Sequence, residues 1–107
     1  MKRIFISGAI TGKLNNNEGA FKDAAQILRQ MGYIAIVPHE LMQQIDCTGF
    51  THDDYCKVCC AELLMCDEMV QLNGWHNSKG AGYEKSICDL FKIPYTSIED
   101  FISKNEQ

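Results

Sequence analysis

The sequence has no long apolar run and no concentration of positive charge. None of its 107 residues belongs to a stretch of about 18 apolar residues, the length that crosses a membrane. Met1, Lys2 and Arg3 lead directly into a strand-like pattern instead of a signal peptide. The ten Lys and Arg residues are scattered and the net charge is −4, which argues against a nucleic-acid polymer or a membrane as partner. We therefore expect a cytoplasmic protein that binds small molecules or other proteins.

Cysteine is plentiful, but a chain expected in the cytoplasm should keep its six cysteines as thiols. The spacing of Cys56 and Cys59, with His52 just before them, matches half of a zinc site, but the second pair is missing. Free cysteine is usually a small buried hydrophobe, so we expect Cys59, Cys60 and Leu63 to be core residues and no metal ion to bind. A redox role for Cys56 and Cys59 would require thiols of depressed pKa.

Strand-like and helix-like patterns alternate along the chain. Short β-rich runs occur at residues 2–7, 33–37, 68–72 and 94–98. Helical patterns cover residues 18–31, 51–66 and 78–91, and a short terminal helix and a polar tail follow the last strand. This order predicts a single α/β domain over residues 1–107, with a three-layer, Rossmann-like or flavodoxin-like fold and a four- to five-stranded parallel sheet.

A flavodoxin-like strand order, 2-1-3-4, would bring two polar loops together. The topological switch of such a sheet lies between its first and third strands, so loops 8–17 and 73–79 would flank one crevice at the carboxyl edge. The start of the second helix, with Asp53 and Asp54, would lie beside this crevice, whereas Glu62 would point away from it. Segment 39–50 has no clear pattern and is a candidate lid or specificity loop.

Glu84 is the candidate reactive group at this edge. Gly80, Ala81 and Gly82 precede it and carry almost no side chain, so a sugar or phosphate could approach the backbone closely. Because a helix start stabilises a nearby anion, we expect Glu84 to be ionised. Such a carboxylate suits attack on an oxocarbenium-like sugar carbon, as in the N-glycosidic bond of a nucleotide.

The pattern S-x-G-A-x-x-E, following a Cys-Asp pair and a strand, resembles the nucleoside deoxyribosyltransferase family. The resemblance covers most of the chain and includes residues 6–8, Pro38, Cys66 with Asp67, and residues 80–84. The chain most resembles a small branch of that family that carries a Gly-Trp pair, here Gly74 and Trp75. The sequence is also similar to the deoxynucleoside monophosphate N-glycosidases.

The resemblance implies that Glu84 is a nucleophile that forms a covalent deoxyribosyl intermediate. The implied reaction cleaves or transfers the N-glycosidic bond of a (deoxy)nucleoside or nucleoside monophosphate without a cofactor, and a Ser at position 78 favours a phosphorylated substrate. The family also implies a homodimer or higher homo-oligomer, often with a site completed by the neighbouring subunit. The expected substrate-binding residues are Ser7, Gly8, Thr11, Asp54, Trp75, Ser78, Gly80 and Gly82.

Cys59 departs from the family pattern, because the family commonly has an Asp at this position. A thiol is a weak acceptor and is mostly protonated near neutral pH, so it replaces a carboxylate poorly. Asp53 or Asp54 would be the substitute. Without a substitute, the protein would be a non-catalytic nucleotide-binding or sensing module.

Ordinary structural roles compete with several of these assignments. Ser78 could simply cap a helix, and Trp75 could anchor its loop or a subunit contact instead of stacking on a base. His39 could be a surface loop histidine instead of a proton donor. For Asp67 we favour a structural role, because the start of the third strand lies at the edge opposite the crevice.

Overall fold

Four parallel strands form one sheet in the order β2-β1-β3-β4 in the computed structural model, which describes residues 1–105. The strands are β1 (Arg3–Ser7), β2 (Ile34–Ile36), β3 (Glu68–Gln71) and β4 (Tyr95–Ser97). The predicted α/β class, parallel sheet and 2-1-3-4 order are confirmed. The end of the predicted polar tail, residues 106 and 107, lies outside the described residues.

Five α-helices cover the two faces of this sheet. They are α1 (Glu18–Gln30), α2 (Pro38–Gln43), α3 (His52–Leu63), α4 (Lys79–Phe91) and α5 (Ile98–Asn105). Two short 3₁₀ turns precede α1 and α4, at Leu14–Asn17 and Trp75–Asn77. None of the helices in residues 1–105 has both the length and the hydropathy of a membrane span.

The side chains of β1 alternate between two core layers. Ile4 and Ile6 pack with α1 and α5, whereas Phe5 packs with α3 and α4. Successive side chains of a strand point to opposite faces of the sheet, so Ser7 continues the direction of Phe5. This alternation directs a polar side chain from the end of β1 toward α3 and α4.

Helix α2 corrects the expectation of an unpatterned segment over residues 39–50. Pro38 ends β2 but is also the first residue of α2, where its fixed φ and missing N–H suit a helix start. Leu41 and Met42 then pack against the core layer of α3 and α4. The sequence pattern missed this helix because it has only six residues.

Helix α3 begins with a capping box. The Thr51 hydroxyl accepts a hydrogen bond from the Asp54 N–H at 3.2 Å, and the Asp54 carboxylate accepts one from the Thr51 N–H at 2.9 Å. Of the two predicted caps, Thr51 is therefore the one used. The helix ends at Leu63 instead of continuing to residue 66.

Asp67 and Glu62 lie at the opposite end of the strands from the predicted crevice. The Arg3 N–H donates to the Asp67 carboxylate at 2.8 Å, and the Arg3 guanidinium pairs with Glu62 at 2.6 Å. These contacts tie the start of β1 to the end of α3 and the start of β3. The scaffold role predicted for Asp67 is confirmed.

Candidate functional site

A cavity of about 740 Å³ opens at the carboxyl edge of the sheet. Its walls come from the loop after β1 and from the starts of α2, α3 and α4. The cavity therefore lies at the switch point between β1 and β3, where α/β sheets bind ligands. Of the predicted site residues, it brings together Gly8, Thr11, Ser78, Gly80 and Glu84.

Glu84 is buried in the wall of this cavity, with 6% of its surface exposed. The fully buried Ser7 hydroxyl donates a hydrogen bond of 2.6 Å to Glu84 Oε1. Burial raises the pKa of Glu84 from its ordinary value of 4.5 to about 7, although the hydrogen bond from Ser7 opposes this rise. The protonated form of the carboxyl group is therefore substantially populated at neutral pH.

This protonation corrects the expectation that Glu84 is simply ionised. Glu84 stands in the second turn of α4, beyond the free N–H groups of the first turn, and its carboxyl group is buried. One of those first-turn groups is already satisfied, because the Ser78 hydroxyl accepts a hydrogen bond from the Ala81 N–H at 3.2 Å. Desolvation of the carboxylate therefore outweighs the helix dipole.

The small residues at the start of α4 differ in their surroundings. A Cβ atom added at Gly80 would lie 3.3 Å from the Cys56 sulfur, whereas one added at Gly82 would meet nothing within 4 Å. Gly80 lines the cavity, but Gly82 is not part of the wall. Of the three small residues that were predicted to leave room for a ligand, Gly80 and Ala81 therefore line the cavity and Gly82 does not.

One face of α3 presents His52, Cys56 and Cys59 to the cavity. Burial raises the pKa of both thiols above the ordinary value, and the charge of Glu84 raises each of them further. These thiols are neutral near pH 7, which is the opposite of the depressed pKa that a redox pair requires. Within residues 1–105, no group of three His, Cys, Asp or Glu side chains is arranged to hold a metal ion.

Asp54 and Trp75 do not line the cavity, contrary to the sequence prediction. The capping box turns the Asp54 carboxylate back onto Thr51, and these hydrogen bonds lower the pKa of Asp54. Trp75 lies in the 3₁₀ turn before α4, edge-on to His76 with 6.1 Å between ring centroids. Asp53, the other candidate for the missing acid, lines a shallow groove between α3 and α4.

His39 lines the cavity and is held on two sides. Its Nε2–H donates to the Asn16 carbonyl at 2.8 Å, and its ring lies 4.7 Å from that of Phe21. The interpretation as a free surface histidine is therefore wrong. The Asn16 contact also fixes the loop between β1 and α1 over the cavity.

A family model described as "Domain of unknown function (DUF4406)" matches residues 2–95. The chain belongs to this family. No curated protein sequence matches it. Among solved structures, it is similar to a 2-deoxyribosyltransferase from the psychrotolerant bacterium Bacillus psychrosaccharolyticus, with a TM-score of 0.64 and 13% sequence identity. The match covers 87% of this chain and 69% of the transferase chain. The nucleoside deoxyribosyltransferase-like fold predicted from the sequence is confirmed.

Sequence reasoning missed one polar residue next to the site of this DUF4406 domain. Gln71 ends β3 and is only 6% exposed. Its Cα pairs in register with that of Ser7, which donates to Glu84. The available signal was its spacing: Gln71 continues the alternation of Met69 on the face that packs against α3 and α4.

Proposed function

We propose that the protein cleaves or transfers the N-glycosidic bond of a nucleoside or nucleoside monophosphate, with Glu84 as the nucleophile. The observation that carries this proposal is the position of Glu84, a buried carboxyl group in the wall of a cavity at the carboxyl edge of the sheet. The cavity volume of about 740 Å³ suits a small organic ligand. The similarity of the fold to a 2-deoxyribosyltransferase supports the same reaction class.

In the proposed reaction, the ionised Glu84 carboxylate attacks the anomeric carbon of the sugar. The glycosidic C–N bond breaks, and the base leaves with the bonding electrons and takes a proton from water. Water or a second base then attacks the same carbon, and the carboxylate is released. Ser7 holds one carboxyl oxygen in place through the 2.6 Å hydrogen bond, which orients the other oxygen for attack.

The start of α4 supports a phosphorylated substrate. The Ser78 hydroxyl accepts from the Ala81 N–H, so its own hydrogen can be donated to a phosphate oxygen. Gly80 lines the cavity without a side chain of its own, and a helix start attracts anions. Gly8 and Thr11 line the cavity in the loop after β1 and would hold the sugar or phosphate.

Cys59 favours a second candidate function, a non-catalytic module that binds or senses nucleotides. Its neutral thiol stands in the cavity wall where the family resemblance leads one to expect an acid. The predicted substitutes, Asp53 and Asp54, do not line the cavity. Such a protein would bind the same ligands without releasing a base.

A base-release assay separates these two functions. The protein is incubated with deoxynucleosides, ribonucleosides and their monophosphates, and free base is measured by chromatography. We expect release by the native protein, none by Glu84→Gln, and native rates from the control Glu99→Gln, which alters an exposed residue of α5. Mass spectrometry of the quenched reaction should find the sugar on a peptide containing Glu84.

The opposite pattern would overturn the enzymatic proposal. Calorimetry of the same nucleotides would then show binding that Glu84→Gln leaves intact, while the native protein releases no base from any of them. That pair of results would identify the non-catalytic module.

We also propose a homodimer or higher homo-oligomer in the cytoplasm, where free nucleotides occur. Leu90 and Phe91 at the end of α4 are 72% and 57% exposed, and Met65 just beyond α3 is 70% exposed. These exposed apolar side chains are candidates for a subunit contact, which the family resemblance implies. Sedimentation velocity should show a species larger than the 12.1 kDa chain, and a monomer at all concentrations would contradict the proposal.

A further inference from the structure

The three buried polar residues among residues 1–105 are Ser7, Gln71 and Glu84. Ser7 and Gln71 are register partners at the carboxyl ends of β1 and β3. Two residues earlier, the register partners Phe5 and Met69 both pack in the core layer of α3 and α4. Since strand side chains alternate with a period of two, Ser7 and Gln71 face this same layer. Glu84 enters the layer from α4 and meets Ser7 there.

Gln71 is unusual in this group because its amide is buried without a partner. Within the described part of the chain, Gln71 Nε2 is inaccessible to solvent and makes no hydrogen bond. An unpaired buried N–H destabilises a fold, and a partner that forms in another state of the site would offset this cost. One buried group of the same layer gains acceptor capacity in another state, namely the carboxyl group of Glu84, which becomes an anion.

The ionised form of Glu84 lacks donors. Ser7 is the side chain that donates to it in the described residues, whereas a buried carboxylate is stabilised by two or three donors. The thiols that the charge of Glu84 reaches from α3 and α4 are neutral and have a raised pKa. They are Cys56, Cys59, Cys60 and Cys88. The cavity also contains basic side chains at His39, His52 and Lys79, yet burial and the Ser7 hydrogen bond are the causes that set the pKa of Glu84.

We infer that Gln71 is a positioning residue for Glu84: its amide N–H donates to the Glu84 carboxylate in the charged form and, with Ser7, holds the carboxylate for attack. No hydrogen bond of the Gln71 Nε2 group has to be broken before the amide can turn toward Glu84. The role of this hydrogen bond in catalysis rests on the proposed function. The hydrogen bond from Gln71 to Glu84 does not, because it can be measured without substrate.

The test compares Gln71→Met, which keeps the shape of the side chain but has no donor, with the native protein. The pKa of Glu84 is read from the carbon-13 signal of its side-chain carboxyl group, which is assigned by its loss in Glu84→Gln. Loss of one hydrogen bond to a carboxylate should raise this pKa by roughly one unit. The control Gln30→Met, at the exposed end of α1, should leave the pKa unchanged.

At pH 5, where Glu84 is protonated, Gln71→Met should also unfold at a higher urea concentration than the native protein, because methionine leaves no unpaired amide in the core. A folded Gln71→Met protein with an unchanged Glu84 pKa would overturn the inference and leave Gln71 a purely structural residue. Gln71→Asn, which retains an amide, should give a pKa between those of the native protein and Gln71→Met.

A measurement on the native protein covers the case in which Gln71→Met fails to fold. The proton and nitrogen signals of the Gln71 amide should shift with pH along the titration of Glu84, and this shift should vanish in Glu84→Gln. A Gln71 amide signal that does not respond to pH would overturn the inference. If the native protein released no base but these signals titrated together, the proposed enzymatic function would fail while the role of Gln71 as a donor would stand.

Discussion

Ser7 and Glu84 are separated by 77 positions in the sequence, yet the hydroxyl of Ser7 donates a hydrogen bond of 2.6 Å to Glu84 Oε1. This bond lowers the pKa of a carboxyl group that burial otherwise raises. Ser7 therefore increases the share of Glu84 that is ionised at a given pH.

Ser7→Ala should raise the pKa of Glu84 by roughly one unit above its value of about 7, because the charged form loses a donor. Carbon-13 titration of the carboxyl group would measure the change, and the pH dependence of base release should move upward with it. Ser86→Ala is the matched control, since Ser86 on α4 bonds to the Gly82 carbonyl and not to Glu84. Equal pKa values in the two variants would show that Ser7 does not set the pKa of Glu84.

The stability of the protein should depend on pH through Glu84. Its pKa is about 7 in the folded protein against an ordinary 4.5, so the folded state holds the proton more tightly. This contribution to the free energy of unfolding is complete below pH 4.5 and is lost as the pH rises through 7. From these pKa values it amounts to roughly 3 kcal/mol.

Glu84→Gln should remove this contribution. The stability of the variant relative to the native protein should therefore increase between pH 5 and pH 8. Urea denaturation at several pH values would measure this difference. Glu99→Gln, the exposed control, should show a difference from the native protein that does not vary with pH. Parallel curves for Glu84→Gln and the native protein would mean that Glu84 titrates alike in the folded and unfolded states.

Gly80→Ala should weaken nucleotide binding by roughly tenfold or more, because the added methyl group stands at the cavity wall, 3.3 Å from the Cys56 sulfur. Gly82→Ala provides the comparison, since its methyl group meets nothing within 4 Å and should instead stabilise α4 by up to about 1 kcal/mol. Calorimetry with a nucleoside monophosphate measures both affinities. If the two variants bind alike, the ligand does not approach the start of α4.

Cys59→Asp should increase base release if the missing acid limits turnover. A positioned acid typically contributes on the order of a hundredfold or more, and the variant should be less stable because it buries a second carboxyl group near Glu84. Cys60→Asp places the same group on the adjacent, half-buried position of α3, outside the cavity wall. Equal rates of base release in both variants would exclude proton transfer at position 59.

The elements that were predicted correctly depend on short stretches of sequence. The strand at Glu68–Gln71, the Ser78 cap and the helix that begins at Lys79 each follow from residues within one or two turns. Helix α2 was missed because it has only six residues and because Pro38, which was interpreted only as the stop of a strand, also begins this helix. A proline signals both events, and local pattern alone does not separate them.

The features of the site that were mispredicted depend on distant residues. The pKa of Glu84 is raised because its carboxyl group is buried. Asp54 lies outside the cavity because its carboxylate accepts a hydrogen bond from the Thr51 N–H. Gln71 looked like an ordinary strand residue because its neighbour Ser7 lies on another strand. Spacing in the sequence identified the carboxyl group, but only packing reveals its donors and its charge.

The central place of β1 in the sheet has a consequence for synthesis. This strand is synthesised before β2 and β3, which pair with it on either side, and before Glu84, which accepts the hydrogen bond from Ser7. Contacts between distant segments form slowly because a long loop must close first. A nascent chain that ends before α4 has no complete cavity, so the cavity can close only after α4 has been synthesised and has docked on the sheet.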